Sequence, residues 1–177
     1  MAERLDFSWE YDRPPGEIFR MVTRLEHLEE KARHLGHLNH TILELRERGG
    51  VFRSVSRRQV DVTLPRWAPS FVAPRNLITQ TQLWHQPAWD GGRRYDAIVE
   101  IGALPVKVTG EGTLTAAGWN GTRYDIGLDI RATRRVFGAK VERIVASQLA
   151  LAIEAEHDFR LLWLGRSTFG TVTHSVR

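Results

Sequence analysis

Five side chains in this 177-residue chain have the chemistry of a general acid or base in positions worth weighing: Tyr95, Tyr124, His85, Glu100 and Glu156. Polar–apolar alternation turns both tyrosines toward the inner face of their strands, and Glu156 falls at the edge of an apolar helical face. A tyrosine hydroxyl facing a bound carbonyl can orient it or donate a proton in a cyclisation or dehydration. A buried tyrosine also fills a core while its hydroxyl finds a partner. No catalytic residue is therefore assigned, with Tyr95 and Tyr124 as the candidates. No serine sits at a strand-to-helix elbow, which leaves a Ser-His-Asp triad without support. His34, His37 and His40 have a spacing that brings imidazoles together on a helix, but Gly36 ends the helix between them and no carboxylate or cysteine completes a set, so no metal is expected. Gly110-Glu111-Gly112 lies within a strand and is not a phosphate loop. No cofactor is expected.

These groups need elements to hold them. Residues 139–164 (AKVERIVASQLALAIEAEHDFRLLWL) read as a long amphipathic helix, with Val141, Ile144, Val145, Ala152, Ala155, Phe159, Leu162 and Trp163 at the 3.6-residue period of one face. Both ends of that face are bulky, whereas its middle offers only Gln148, Ala152 and Ala155. Small side chains there either admit a bulky sheet residue such as a tryptophan, as close packing favours, or form a cavity wall. A buried Gln148 amide needs partners, and leaving it without them costs about 1–3 kcal/mol.

What the helix packs on comes earlier. Residues 4–11 alternate as a half-buried strand, Pro14 and Pro15 open a short helix over 15–22, and a second over 25–34 ends at Gly36 as a left-handed cap. Strands are expected over 41–48, 51–62, 77–86, 95–101, 106–115 and 122–133, joined through Gly49-Gly50, Asp90-Gly91-Gly92 and Asn120-Gly121, so neighbours pair antiparallel. Residues 64–74 carry Pro65, Pro69 and Pro74, which break any ladder. This stretch reads as a loop or helical turn over the sheet. Alternation points Gly110 and Gly112 inward with Tyr124, Ile126 and Leu128, and two missing side chains opposite a thin helix argue for space between them.

Composition narrows the class. The length fits one domain, and the absence of cysteine removes disulfides and thiolate metal sites. The net charge of +4 and pI near 9.9 come from 25 basic residues interspersed among 21 acidic ones, which is the pattern of ordinary solvated faces. No basic run, helix-turn-helix or aromatic RNA-binding signature is present, so nucleic acid is not an expected partner. The opening MAERLDFSWEYD does not read as a signal peptide, and no apolar run approaches the ~18 residues of a membrane span. A cytoplasmic location is expected, with at most transient contact with a membrane surface.

The order strand, two short helices, six antiparallel strands and a long C-terminal helix resembles the helix-grip fold. LPRWAPSFV, Trp84, the Asp90-Gly91-Gly92 turn, ALPVKVTGEGTL, Gly121-Thr122, FGAKVERIVASQL and EHDFRLLWL, with LGHL at 35–38, are similar to a bacterial domain-of-unknown-function family in the START-like (SRPBCC, birch-pollen-allergen-like) superfamily. Pro105, Gly110, Gly138, Lys140 and Glu142 are its most telling positions. The resemblance implies an α+β fold in which a curved seven-stranded antiparallel sheet wraps around the C-terminal helix. It also implies a single START-like domain over 1–164 and a hydrophobic cavity that in relatives holds lipids, sterols, polyketides or hormones, and the residues beyond it, 165–177, read as a flexible tail. It implies no reaction, because function lives in the site.

The leading expectation is a binder or carrier of a small hydrophobic molecule, lipid-like, sterol-like or polyketide-like. Its expected ligand-binding residues are Trp67, Phe71, Trp84, Tyr95, Val99, Gly110, Gly112, Tyr124, Ile126, Leu128, Gln148, Ala152 and Ala155. The alternative is a polyketide cyclase or aromatase using Tyr95, Tyr124 or Gln148 in the same cavity, and the third is a filled core with function on the surface. Enzyme status and oligomeric state stay open at this level.

Overall fold

The computed structural model describes residues 3–62, 66, 72–102, 104–133 and 138–169. Seven strands form one antiparallel sheet: β1 (Glu3–Tyr11), β2 (Leu38–Arg48), β3 (Val51–Asp61), β4 (Arg75–Trp84), β5 (Arg93–Ile101), β6 (Val106–Ala117) and β7 (Gly121–Ala132). Their order is β1-β7-β6-β5-β4-β3-β2, so successive hairpins run from β2 to β7 and β1 returns to pair with β7. Gly49 and Gly50 both take positive φ in the β2–β3 turn, a conformation that costs glycine no Cβ clash. The β6–β7 connection differs from the Asn120-Gly121 turn expected above: Ala117 pairs with Gly121, which makes Gly118-Trp119-Asn120 a three-residue loop with Gly118 left-handed.

Helices α1 (Pro15–Thr23) and α2 (Leu25–His34) fill the crossover between β1 and β2. Pro15 starts α1 where its missing N–H is no loss. At the end of α2, Gly36 is left-handed while its N–H bonds the Arg33 carbonyl at 3.2 Å and the His37 N–H bonds the Ala32 carbonyl at 2.9 Å. This is a complete Schellman closure, and it fixes the direction in which His37 leaves the helix.

Helix α3 (Gly138–Phe169) lies against the sheet and runs five residues past Leu164, so 165–169 belong to the helix rather than to a tail. Its first turn is tied to the end of β7 by the buried Glu142, whose Oε1 accepts the Ala132 N–H at 2.7 Å. A Cβ on Gly138 would stand 3.1 Å from the Ala132 Cβ, which accounts for a glycine at that close approach. Val141, Ile144, Val145 and Phe159 of the expected apolar face are buried, but Leu162 is exposed. Among the described residues no helix is long and apolar enough to cross a membrane.

The inward rows of the sheet follow from register: Phe52–Trp84–Tyr95–Gly112–Ile126 at one end, and Arg58–Ile78–Ile101 at the other. Two apolar clusters result. One gathers Ile18, Phe19 and Met21 of α1 with Tyr11, Trp84, Tyr95, Leu114, Tyr124, Ile126 and Leu128. The other joins Val72, Ile78, Val99, Ile101, Val106, Val108 and Ile130 to Val141, Val145 and Ala146 of α3.

Candidate functional site

A cavity of about 320 Å³ opens beside the second cluster, between the middle of α3 and the β3–β5 half of the sheet. Helix α3 lines it with Ile144, Val145, Gln148, Leu149, Leu151, Ala152 and Ala155, and β3 and its exit with Arg58, Val60, Asp61 and Val62. Val72, Asn76 and Ile78, then Ile101 and Leu104, form the floor, and Leu35, Gly36 and His37 close the end next to α2. The hollow exists because α3 turns two alanines and a glutamine toward strands whose facing residues are of ordinary length. Leu151 and Ala152 are exposed, so the solvent side of the cavity lies along that edge of α3.

Of the expected ligand-binding residues, Gln148, Ala152 and Ala155 line this space. Trp67 and Phe71 lie outside the described residues. Trp84, Tyr95, Gly110, Gly112, Tyr124, Ile126, Leu128 and Val99 stand elsewhere in the core, away from the cavity wall. The physical reason is the aromatic end of the sheet. Trp84, 1% exposed, packs 4.4 Å from Tyr95 and 5.4 Å from Phe19 between ring centroids, and Tyr95 meets Tyr124 edge to face at 6.3 Å. A Cβ on Gly112 would overlap the Tyr95 ring, and one on Gly110 would stand 2.8 Å from a Leu128 methyl. The inward glycines thus make room for neighbouring side chains of the protein itself. Burial raises the phenols of Tyr95 and Tyr124 above their ordinary value, so both stay protonated at neutral pH.

The other candidates scatter. His85 bonds Asp96 at 2.6 Å on the surface, and Glu100 is exposed. His34 packs 5.2 Å from Phe159 while His37 lines the cavity, and among the described residues no three metal-ligating side chains converge. A groove of about 400 Å³ on the convex face is walled in part by Arg4, Asp6 and Glu111. Arg4 is already committed there to Asp6, Glu111 and Asp129 at 2.8–2.9 Å.

Outside the cavity lining, sequence reasoning named Glu156 but missed the partners that hold it. Glu156 of α3 accepts from Lys31 of α2 at 3.0 Å and from Arg160 at 3.4 Å, all three largely buried. Arg160 also reaches the Tyr11 hydroxyl at 3.4 Å. Burial alone would raise the Glu156 carboxyl, but Lys31, Arg160 and Arg58 outweigh it and hold it at about 2. The Lys31 ammonium is lowered by burial, against the pull of Glu156. His37 is pushed down to about 4 by burial and then by Arg58, so it is neutral at pH 7. The available signal was the parity of β3: Val60 and Arg58 share a face, and an arginine in an inward row calls for a partner.

With the site in place, comparison gives it a family. The family described as protein of unknown function (DUF2505) matches residues 6–164. The chain belongs to the DUF2505 family. No curated protein sequence matches this DUF2505 chain. In fold it is similar to the Zhui aromatase/cyclase from Streptomyces sp. R1128, with 14% identity and a TM-score of 0.65 over 97% of this chain and 99% of that one. It is likewise similar to a START superfamily protein from Mycobacterium smegmatis, at 16% identity and TM-score 0.57 over 90% and 98%. Norcoclaurine synthase from Thalictrum flavum aligns at 10% identity and TM-score 0.53 over 92% and 87%. The DUF2505 chain therefore has the START-like helix-grip fold, a curved seven-stranded antiparallel sheet with a long C-terminal helix.

Proposed function

We propose that this protein binds or carries a small hydrophobic molecule in the cavity between α3 and the β3–β5 half of the sheet. The observation that carries the reading is the thin middle of α3, Gln148, Ala152 and Ala155, facing Val60, Val62, Ile78, Ile101 and Leu104 across about 320 Å³. That volume lies at the small end of the roughly 300–1,000 Å³ typical of ligand sites. It suits a single-chain or few-ring molecule better than a two-chain lipid. The cyclase alternative invoked Tyr95, Tyr124 and Gln148, and only Gln148 reaches the cavity. A hollow of this size favours the binding reading over a solidly filled core with function on the surface.

Ala152→Trp and Ala155→Phe place bulk in the hollow and test the reading. Native mass spectrometry of protein purified from its own host should show a bound small molecule that both variants lose while keeping a cooperative melt. Bare-chain spectra from repeated preparations of the unaltered protein would overturn it.

A further inference from the structure

Among the described residues that line the cavity, Arg58 carries a buried donor without a partner. It stands in the inward row of β3, opposite Ile78. Its Nε is buried with no hydrogen-bond partner, and no described carboxylate lies within ion-pair distance of its guanidinium. Guanidinium donors form a planar fork, and an unpaired charge taken out of water is costly unless something accepts from it. The protein has little left to offer. Glu156 is shared by Lys31 and Arg160, so among the described residues Arg58 has only a share in the field of that carboxylate. Asp61, the acid on the cavity wall among the described residues, is held by Arg75 through two bonds of 2.6 and 2.9 Å. Beside Arg58, the neutral His37 is aimed by the closure of α2, and the Gln148 amide makes no side-chain hydrogen bond among the described residues.

We propose that the ligand of this cavity is an amphiphile with a carboxylate or similar compact oxyanion at one end, which Arg58 grips as a fork while its apolar body lies along Val60, Ile78, Ile101 and Val145. This rests on the ligand-binding reading above and adds the class of ligand. A carboxylate supplies two acceptors in the geometry of the fork, and it restores the charge that Glu156 alone does not balance. His37 and Gln148 complete the end wall as neutral donors. The Asp61–Arg75 pair takes no part.

Calorimetry at pH 7 with decanoate, decanol and acetate separates the possibilities. Decanoate should bind the unaltered protein at least tenfold more tightly than decanol, and acetate should bind far more weakly than either. Arg58→Gln should collapse the preference for decanoate over decanol, and Arg58→Lys should keep part of it, because a point charge attracts without the fork. Should Arg58→Gln fail to fold, the decanoate-to-decanol ratio in the unaltered and Arg58→Lys proteins still decides. Decanol binding as tightly as decanoate would overturn the anionic end and leave the cavity reading standing. Acetate binding as tightly as decanoate would also overturn it, by reducing the site to a simple anion site. No heat from either ten-carbon probe, in the unaltered protein as in Ala152→Trp, would overturn both.

Discussion

Among single residues, His27 shows most directly how burial sets chemistry. It is 1% exposed on α2, with neither ring nitrogen hydrogen-bonded, and it packs 5.2 Å from Phe159 and 5.1 Å from Trp163. Burial, reinforced by the charges of Lys31 and Arg160, pushes it down to about 3. The unfolded chain protonates the same group near 6.5, so below that pH the unfolded state binds the extra proton. Stability is whole above pH 6.5 and declines as the pH falls toward 3, by at most about 1.4 kcal/mol per pH unit from this group. His27→Leu should flatten that decline and leave the plateau above pH 7 unchanged or higher. Urea unfolding at pH 7, 6, 5 and 4 checks it, and an unaltered slope would remove His27 from the account.

At the level of elements, the pairing of β5 with β6 decides what fills the aromatic end. Tyr95 and Gly112 are register partners, and the Tyr95 ring occupies the volume that a side chain at 112 would need. Gly112→Ala should therefore destabilise by about 1–3 kcal/mol through overpacking. Gly16, in α1 with nothing within 4 Å of its would-be Cβ, is the control: Gly16→Ala should stabilise by up to about 1 kcal/mol. Urea midpoints of the two variants should move in opposite directions. The small residues in α3 play the other part, since Ala152 and Ala155 line the cavity.

Over the whole molecule, the concave face divides into a half filled by Phe19, Trp84, Tyr95 and Tyr124 and a half with the hollow, while the Lys31–Glu156–Arg160 cluster joins α2 to α3 with Arg160 over the Tyr124 ring. Among the described residues, Glu156 is the one carboxylate in ion-pair contact with Lys31 and Arg160. Glu156→Gln should cost about 3–5 kcal/mol by leaving buried cations uncompensated, seen as a large fall in the urea midpoint at pH 7. Because the folded carboxyl sits near 2 and the unfolded one near 4.5, its contribution is present above pH 4.5 and lost as pH falls through 2. The variant should therefore lose that acid-side step, and a variant as stable as the parent would show that water balances the cluster.

Much of this architecture is written in local pattern. Alternation in β1, β6 and β7, the prolines before α1, Gly36 after α2 and the short glycine turns are properties of neighbouring residues, so the element order and the hairpin neighbours follow from the chain itself, while the resemblance supplied the START-like frame. The thin middle of α3 was legible for the same reason, because its small side chains recur at helical spacing. Tertiary structure alone decided which half of the concave face is empty. That depends on how far Trp84 and Tyr95 reach across strands into the space over Gly112, and on α2 carrying Lys31 up to Glu156 across 125 positions of sequence. Side-chain reach and long-range charge pairing have no local period, so only the folded chain shows Arg58 at the cavity with no ion pair among the described residues.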